Sequence, residues 1–260
     1  MVSSDEIAVS LNVHADPALI RGNINCLKEN LTNNIHLLIE ENGYEKWPLD
    51  NFNDVKTIKG FRHDFKRNPY RNVFYNLIET YKVFPDKKWY CYTEGDNFIL
   101  NNQIRKDLSL INENYGLVAA DFRTVYCDPN LFYKILKKSV KVHFCILGCC
   151  YFIRDKFMKL LCEDYLPKFL THSTLIPDCY YYPNFFQYDI AEVFIATSCW
   201  ESNFSIFNLV AYKNDHFVGM SNYYKMRFRP EIFYEELSDE NCIIHPIKDQ
   251  RALIGKKNDK

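Results

Sequence analysis

The sequence predicts an α/β fold with a mostly parallel central sheet. Two observations carry this. Short apolar, strand-like runs alternate with helical stretches through the first half, and a β-α-β-α-β order packs helices against a parallel sheet. The chain is 260 residues long with 47% apolar and 25% charged residues. That is enough material for one large domain and an ordinary globular composition, which excludes intrinsic disorder.

The elements follow in order. Ile7 to His14 (IAVSLNVH) reads as a buried strand. Asp16-Pro17 starts a helical stretch carrying Ile20, Ile24 and Leu27. Ile35 to Ile39 is a second strand and Val55 to Ile58 a weak third. Asn68-Pro69 is a helix-start signal. Val73, Phe74, Leu77, Ile78 and Tyr81 then mark one helical face, which Phe84-Pro85-Asp86 closes. Trp89 to Thr93 (WYCYT) is strongly β-prone, Ile104 to Ile111 helical, and Leu117 to Phe122 another strand. Beyond it the pattern is less regular. Leu131 to Leu136 reads as helix, Phe144 to Ile153 as strand and Asp155 to Cys162 as helix. Tyr180 to Tyr188 is an aromatic loop, followed by a helix from about Asp189 to Thr197. We read one domain over 1–254, its second half (124–254) completing the first (1–123), and a frayed polar tail at 255–260. The lack of a closing element fits a domain excised from a larger, multidomain chain.

Composition removes several function classes. Lys plus Arg is 32 and Asp plus Glu is 33, so the chain lacks the basic excess of a general nucleic-acid binder. No apolar run approaches the roughly 18 residues of a transmembrane helix, and Met1 to Ser10 has no basic signal-peptide region. The ten cysteines include no CxxC pair. Several sit in apolar runs such as HFCILGCCYFI, which reads as buried reduced thiols in a reducing, cytoplasmic compartment. A disulfide framework is the alternative. The 42 aromatics (19 Tyr, 20 Phe, 3 Trp) suit a core and also a surface that stacks on sugars.

The chemistry concentrates in Lys88-Trp-Tyr-Cys-Tyr-Thr-Glu-Gly-Asp-Asn97. Two carboxylates, Glu94 and Asp96, stand at the end of an apolar strand, where open α/β sheets bind ligands. If the strand continues, period-2 geometry points both the same way. Gly95 between them allows a ligand or ion close to the backbone. Such a pair suits a hard divalent cation shared with substrate phosphates. A chance ExD at a strand end is the bland alternative.

This carboxylate-x-Asp pattern after an aromatic strand resembles the DxD motif of GT-A-fold glycosyltransferases. The opening strand with His14-Ala15-Asp16 and the strand at IHLLIEENG fit the nucleotide-binding half of that family. The resemblance spans about residues 5–200 and departs from the commonest motif by placing Glu94 where Asp is usual. It implies a Rossmann-like, GT-A-like fold with a nucleotide-sugar-binding half and an acceptor half. It also implies Mn²⁺ or Mg²⁺ at Glu94 and Asp96, with His14, Asp16 and Gly95 beside the donor. The family often returns a C-terminal His to the metal and a Lys to the diphosphate. Asn-Cys-Ile-Ile-His-Pro-Ile-Lys offers His245 and Lys248 for these roles. A lone His is otherwise structural.

Arg62, Arg67 and Arg71 form a basic cluster before a helix start. It is either a solvated face or a contact to the donor nucleotide. Six aromatics lie between Tyr180 and Tyr188. Tyr181 and Tyr182, extended by Trp200, are the expected acceptor platform, while Phe185 and Phe186 read as core. Asp189 and Glu192 open the next helix on one face. By the resemblance, one of them is the base of an inverting transfer; an N-cap is the alternative for Asp189. The expected function is transfer of a hexose, with galactose the first guess, from a UDP-sugar to a glycan acceptor. The faint likeness to chlorovirus capsid-glycan transferase domains suggests that sugar. A silent carbohydrate-binding or assembly module is the competing class. A nucleotidyltransferase is disfavoured because no Gly-rich phosphate loop follows the first strand.

Overall fold

The structure is a computed structural model. It describes residues 1–13, 17–40, 52–61, 71–124, 143–146, 150–172, 179–181, 187–213, 223–226, 232–233 and 236–248. The readings at His14, Asp16, Arg62, Arg67, Asn68-Pro69, Leu131–Leu136, Tyr182, Phe185, Phe186 and the tail lie outside those residues.

The first half follows the expected order. Strand β1 (Ile7–Val13) leads to helix α1 (Pro17–Asn30), then β2 (Ile35–Ile39), β3 (Lys56–Lys59), α2 (Arg71–Val83) and β4 (Trp89–Glu94). Next come β5 (Phe98–Ile99), α3 (Gln103–Leu110), β6 (Tyr115–Ala119), β7 (Asp121–Thr124), β8 (His143–Ile146) and β9 (Cys150–Arg154). Helix α4 (Asp155–Leu160) runs through a π-helical turn, Leu161–Tyr165, into α5 (Leu166–His172). The remainder is β10 (Cys179–Tyr181), β11 (Gln187–Asp189), α6 (Ile190–Glu201), β12 (Ser205–Asn208), α7 (Leu209–Tyr212), β13 (Tyr224–Met226) and β14 (Ile243–His245).

Seven strands make one sheet in the order β12-β6-β9-β4-β1-β2-β3. The pairs β1–β2, β1–β4, β2–β3 and β6–β12 are parallel. Strand β9 alone runs against its neighbours, with Trp89 opposite Arg154 and Thr93 opposite Cys150. The carboxyl ends of the other six strands therefore share one edge. Burial alternates along β4 as a two-sided sheet requires. Tyr90 and Tyr92 pack with α2, α4, α5 and α6, and Trp89 and Cys91 with α1 and α3.

Four readings need correction. Leu117 to Phe122 is two strands, because the chain leaves the main sheet at Ala120 and β7 pairs β8 instead. Phe144 to Ile153 likewise divides into β8 and β9, in different sheets. The Tyr180–Tyr188 loop includes the paired strands β10 and β11 at its ends. An apolar run reports burial but not its hydrogen-bonding partner, so it cannot show where a strand changes sheet. The Asp155–Cys162 helix also continues further than its pattern suggested, to His172.

The six cysteines with described side chains, Cys26, Cys91, Cys150, Cys162, Cys199 and Cys242, form no disulfide, and all but Cys26 are buried. No described helix is long and apolar enough to cross a membrane.

The α2 side of the core centres on Phe194 of α6, fully buried, with ring centroids 4.7 Å from Phe169 and 5.9 Å from Phe74. Phe194→Ala should lower the unfolding free energy by about 3–5 kcal/mol, the usual cost of a large core truncation. Urea denaturation checks this; a loss below about 1 kcal/mol would show that the ring cluster is not core.

Candidate metal centre

Strand β4 ends at Glu94 because the chain turns there. The Asn97 N–H donates back to the Glu94 carbonyl at 3.1 Å, the i to i+3 bond of a β-turn. The Asn97 side-chain amide donates to Thr93 Oγ1 at 2.7 Å. The two carboxylates thus converge through a turn and not through continued strand alternation. A Cβ at Gly95 would lie 3.3 Å from Val13 Cγ1 and 3.6 Å from Ile20 Cγ1. Its smallness on that side lets the turn sit close against β1 and α1.

The chain's last described segment crosses this turn. β14 pairs antiparallel with β5, Ile243 opposite Ile99 and Ile244 opposite Phe98, and parallel with β13. Beyond the cis His245–Pro246 peptide, the Ile247 N–H donates to the Asp96 carbonyl at 2.9 Å. Phe98, Ile244 and Ile247 are fully buried in one apolar cluster with Leu19 and Ile232. This packing holds His245 and Lys248 over Asp96.

The result is a compact donor set. Glu94, Asp96 and His245 each offer one ligand atom, all within 4.8 Å of one another. Asp96 is 3% exposed. Its Oδ2 accepts from the Lys248 ammonium. Its Oδ1 lies 3.3 Å from His245 Nε2, yet is buried and accepts no aligned hydrogen bond among the described residues. Burial pushes the Asp96 carboxyl up, but the neighbouring His245 imidazole and Lys248 ammonium outweigh it and hold the group well below the usual carboxylate range. Glu94 is half-buried, and its Oε1 accepts from the Tyr92 hydroxyl at 3.3 Å. Two carboxylates and an imidazole at a strand end suit a hard or borderline divalent ion, and the orphaned Asp96 Oδ1 is an acceptor such an ion would satisfy.

Of the other candidates, Arg71 is the first residue of α2, with its guanidinium 4.0 Å over the Phe61 ring just beyond β3. Asp189 is the last residue of β11 and Glu192 lies in the first turn of α6. Helix α6 returns across the sheet and feeds the amino end of β12, so its start lies at the carboxyl edge. Trp200, in its last turn, lies at the opposite edge. Trp200 is 45% exposed there. Tyr181 ends β10, paired with Gln187.

No protein-family model matches the chain, and no curated protein matches it. Similar solved structures exist at low identity. A CTP:phosphocholine cytidylyltransferase from Streptococcus pneumoniae is 14% identical, with TM-score 0.46 over 97% of this chain and 98% of its own. A mannosyltransferase from Pyrobaculum calidifontis, solved with GDP-Man and Mn²⁺, is 10% identical, with TM-score 0.41 over 80% of this chain and 56% of its own. The S. aureus TarS 1-349 complex with UDP-GlcNAc is 11% identical, with TM-score 0.35 over 59% of this chain and 46% of its own.

Sequence reasoning missed a set of buried asparagines around the site, whose only signal is a polar amide inside an apolar run. Asn76 of α2 donates to the Leu11 carbonyl at 3.1 Å and to Asn12 Oδ1 at 2.6 Å. Its own Oδ1 lies 2.7 Å from His36 Nδ1. Because a carbonyl only accepts, the Asn76 amide direction is fixed, and His36 Nδ1 must carry the proton. Asn12 pairs in register with Glu94, so this chain of bonds ends beside the carboxylate turn.

Burial lowers the His36 pKa from 6.5, more than its bond to Asn76 and nearby Glu79 raise it. Below about pH 6.5 the unfolded state therefore binds more protons at this position than the folded state, and stability falls as the pH is lowered. Urea denaturation at about pH 7.5 and about pH 5.5 should show this loss reduced in His36→Gln. An equal loss in the variant would mean that His36 is not its source.

Proposed function

We propose that this chain is a divalent-metal-dependent glycosyltransferase that moves a hexose from a UDP-sugar to a hydroxyl of a saccharide acceptor. The observation that carries the reading is the clustering of Glu94, Asp96 and His245 at the carboxyl edge of the sheet, with Lys248 on Asp96. Glu94, Asp96 and His245 would hold the ion. Bound there, Mn²⁺ or Mg²⁺ supplies positive charge against the leaving diphosphate. The Lys248 side chain is about half exposed and its ammonium has three donors, so it can serve a phosphate oxygen as well as Asp96. Arg71, at the same edge, is offered to the donor nucleotide.

In an inverting transfer the acceptor hydroxyl loses its proton to a carboxylate, for which the start of α6 supplies Asp189 or Glu192. The acceptor oxygen forms the new bond to the sugar carbon as the bond to the diphosphate oxygen breaks. A retaining transfer needs no such base, and the two residues then serve binding. The reading takes Tyr181 and Tyr182 as the aromatic part of the acceptor site and galactose as the first sugar to test.

Asp96→Ala should lower turnover at least ~10²-fold, or about 2.7 kcal/mol at roughly 1.36 per decade. Charge on the leaving nucleotide grows in the transition state, and only interactions that strengthen there speed the reaction. Turnover of UDP-hexoses with Mn²⁺, alongside circular dichroism, checks this. Equal turnover by a folded variant would contradict the reading; no turnover by wild type on any donor would favour a silent binding module.

A further inference from the structure

Asn23 sits on α1, outside the proposed ligand set, and is fully buried beside Ile20, Ile24 and Leu27. Its Nδ2 lies 3.1 Å from the Glu94 carbonyl, 3.1 Å from that of Gly95 and 2.7 Å from that of Asn97. Three backbone carbonyls of the carboxylate turn converge on one amide nitrogen. Carbonyls only accept, so the nitrogen end must face them, its two protons shared among three acceptors. The other end, Oδ1, is buried and without a hydrogen-bond partner among the described residues.

A leucine would fill the same space on an apolar helix face, but it would leave the three carbonyls without this donor. What the amide supplies is the convergence itself. Three carbonyl dipoles aimed at one point repel one another, and a donor at that point makes the shape favourable. With the carbonyls gathered inward, the Glu94 and Asp96 side chains leave the turn on the side of His245.

We propose that Asn23 is a positioning residue that holds the Glu94–Asn97 turn in its metal-binding shape before any ion arrives. The inference rests on the reading of Glu94, Asp96 and His245 as ligands. Preset ligands spare the ion the cost of ordering them, and groups that orient metal ligands are typically worth about 10- to 100-fold in affinity.

The test is calorimetric titration of the full chain with Mn²⁺ alone, paired with thermal unfolding of the metal-free protein. Asn23→Leu removes the donor at similar volume. It should bind Mn²⁺ about 10- to 100-fold more weakly while still folding without metal, at a melting temperature lowered by the loss of the donor to the carbonyls. If the leucine variant does not accumulate folded, Asn23→Ala, which leaves room for a water to donate in place of the amide, carries the same comparison with a smaller loss. Wild type that binds no Mn²⁺ overturns the metal reading and this inference with it. Wild type that binds Mn²⁺, beside a folded variant that binds it equally well, overturns this inference alone. So does a variant that melts much lower but keeps its Mn²⁺ affinity, since Asn23 would then be structural only.

Discussion

A carboxylate taken to 3% exposure costs several kcal/mol unless opposite charge or hydrogen bonds go with it. At Asp96 the compensation comes from far along the chain: Lys248 lies 152 residues away in sequence. The ion pair cannot form until β14 has docked on β5, and that docking is apolar work by Phe98, Ile244 and Ile247. Hydrophobic burial thus places a charge that could not place itself. One atom of the arrangement, Asp96 Oδ1, still lacks an aligned donor, and it faces the position where Glu94 and His245 also present donor atoms.

Asparagine does the remaining positioning. Asn97 ties the turn to Thr93, Asn23 ties it to α1, and Asn76 fixes Asn12 beside Glu94. Asn72 of α2 clips both the N–H and the carbonyl of Phe61, past the end of β3. An amide side chain carries both donor and acceptor without charge, so it can bind loose backbone at a sheet edge with no Born penalty. The carboxyl edge is where strands end and backbone groups lose their ladder partners, which is why these residues gather there.

The sheet's first half was legible because β1, β2 and β4 are short apolar runs with clear stops, and α2 carries its apolar face at helical spacing. Glu94 and Asp96 were legible as two carboxylates at a strand end, whereas His245 and Lys248 were singled out only through the resemblance to GT-A enzymes. The direction of β9 was not, since CYFIR reads the same whichever way it pairs. Strand β5, two residues long, is defined by β14 and has no pattern of its own. Trp200 is close to Asp189 in sequence, but a 12-residue helix, at about 1.5 Å per residue, separates the helix ends by roughly 18 Å. Asn23 was passed over because a polar residue in a helix is ordinarily a solvated one.

The central claim is that one divalent ion sits among Glu94, Asp96 and His245. Anomalous diffraction from crystals of the full chain grown with MnCl₂ and UDP tests it directly. The account predicts a single strong manganese peak within bonding distance of all three side chains, next to the UDP diphosphate. A well-ordered site that holds UDP but no manganese, or a peak bonded to other residues, would contradict it.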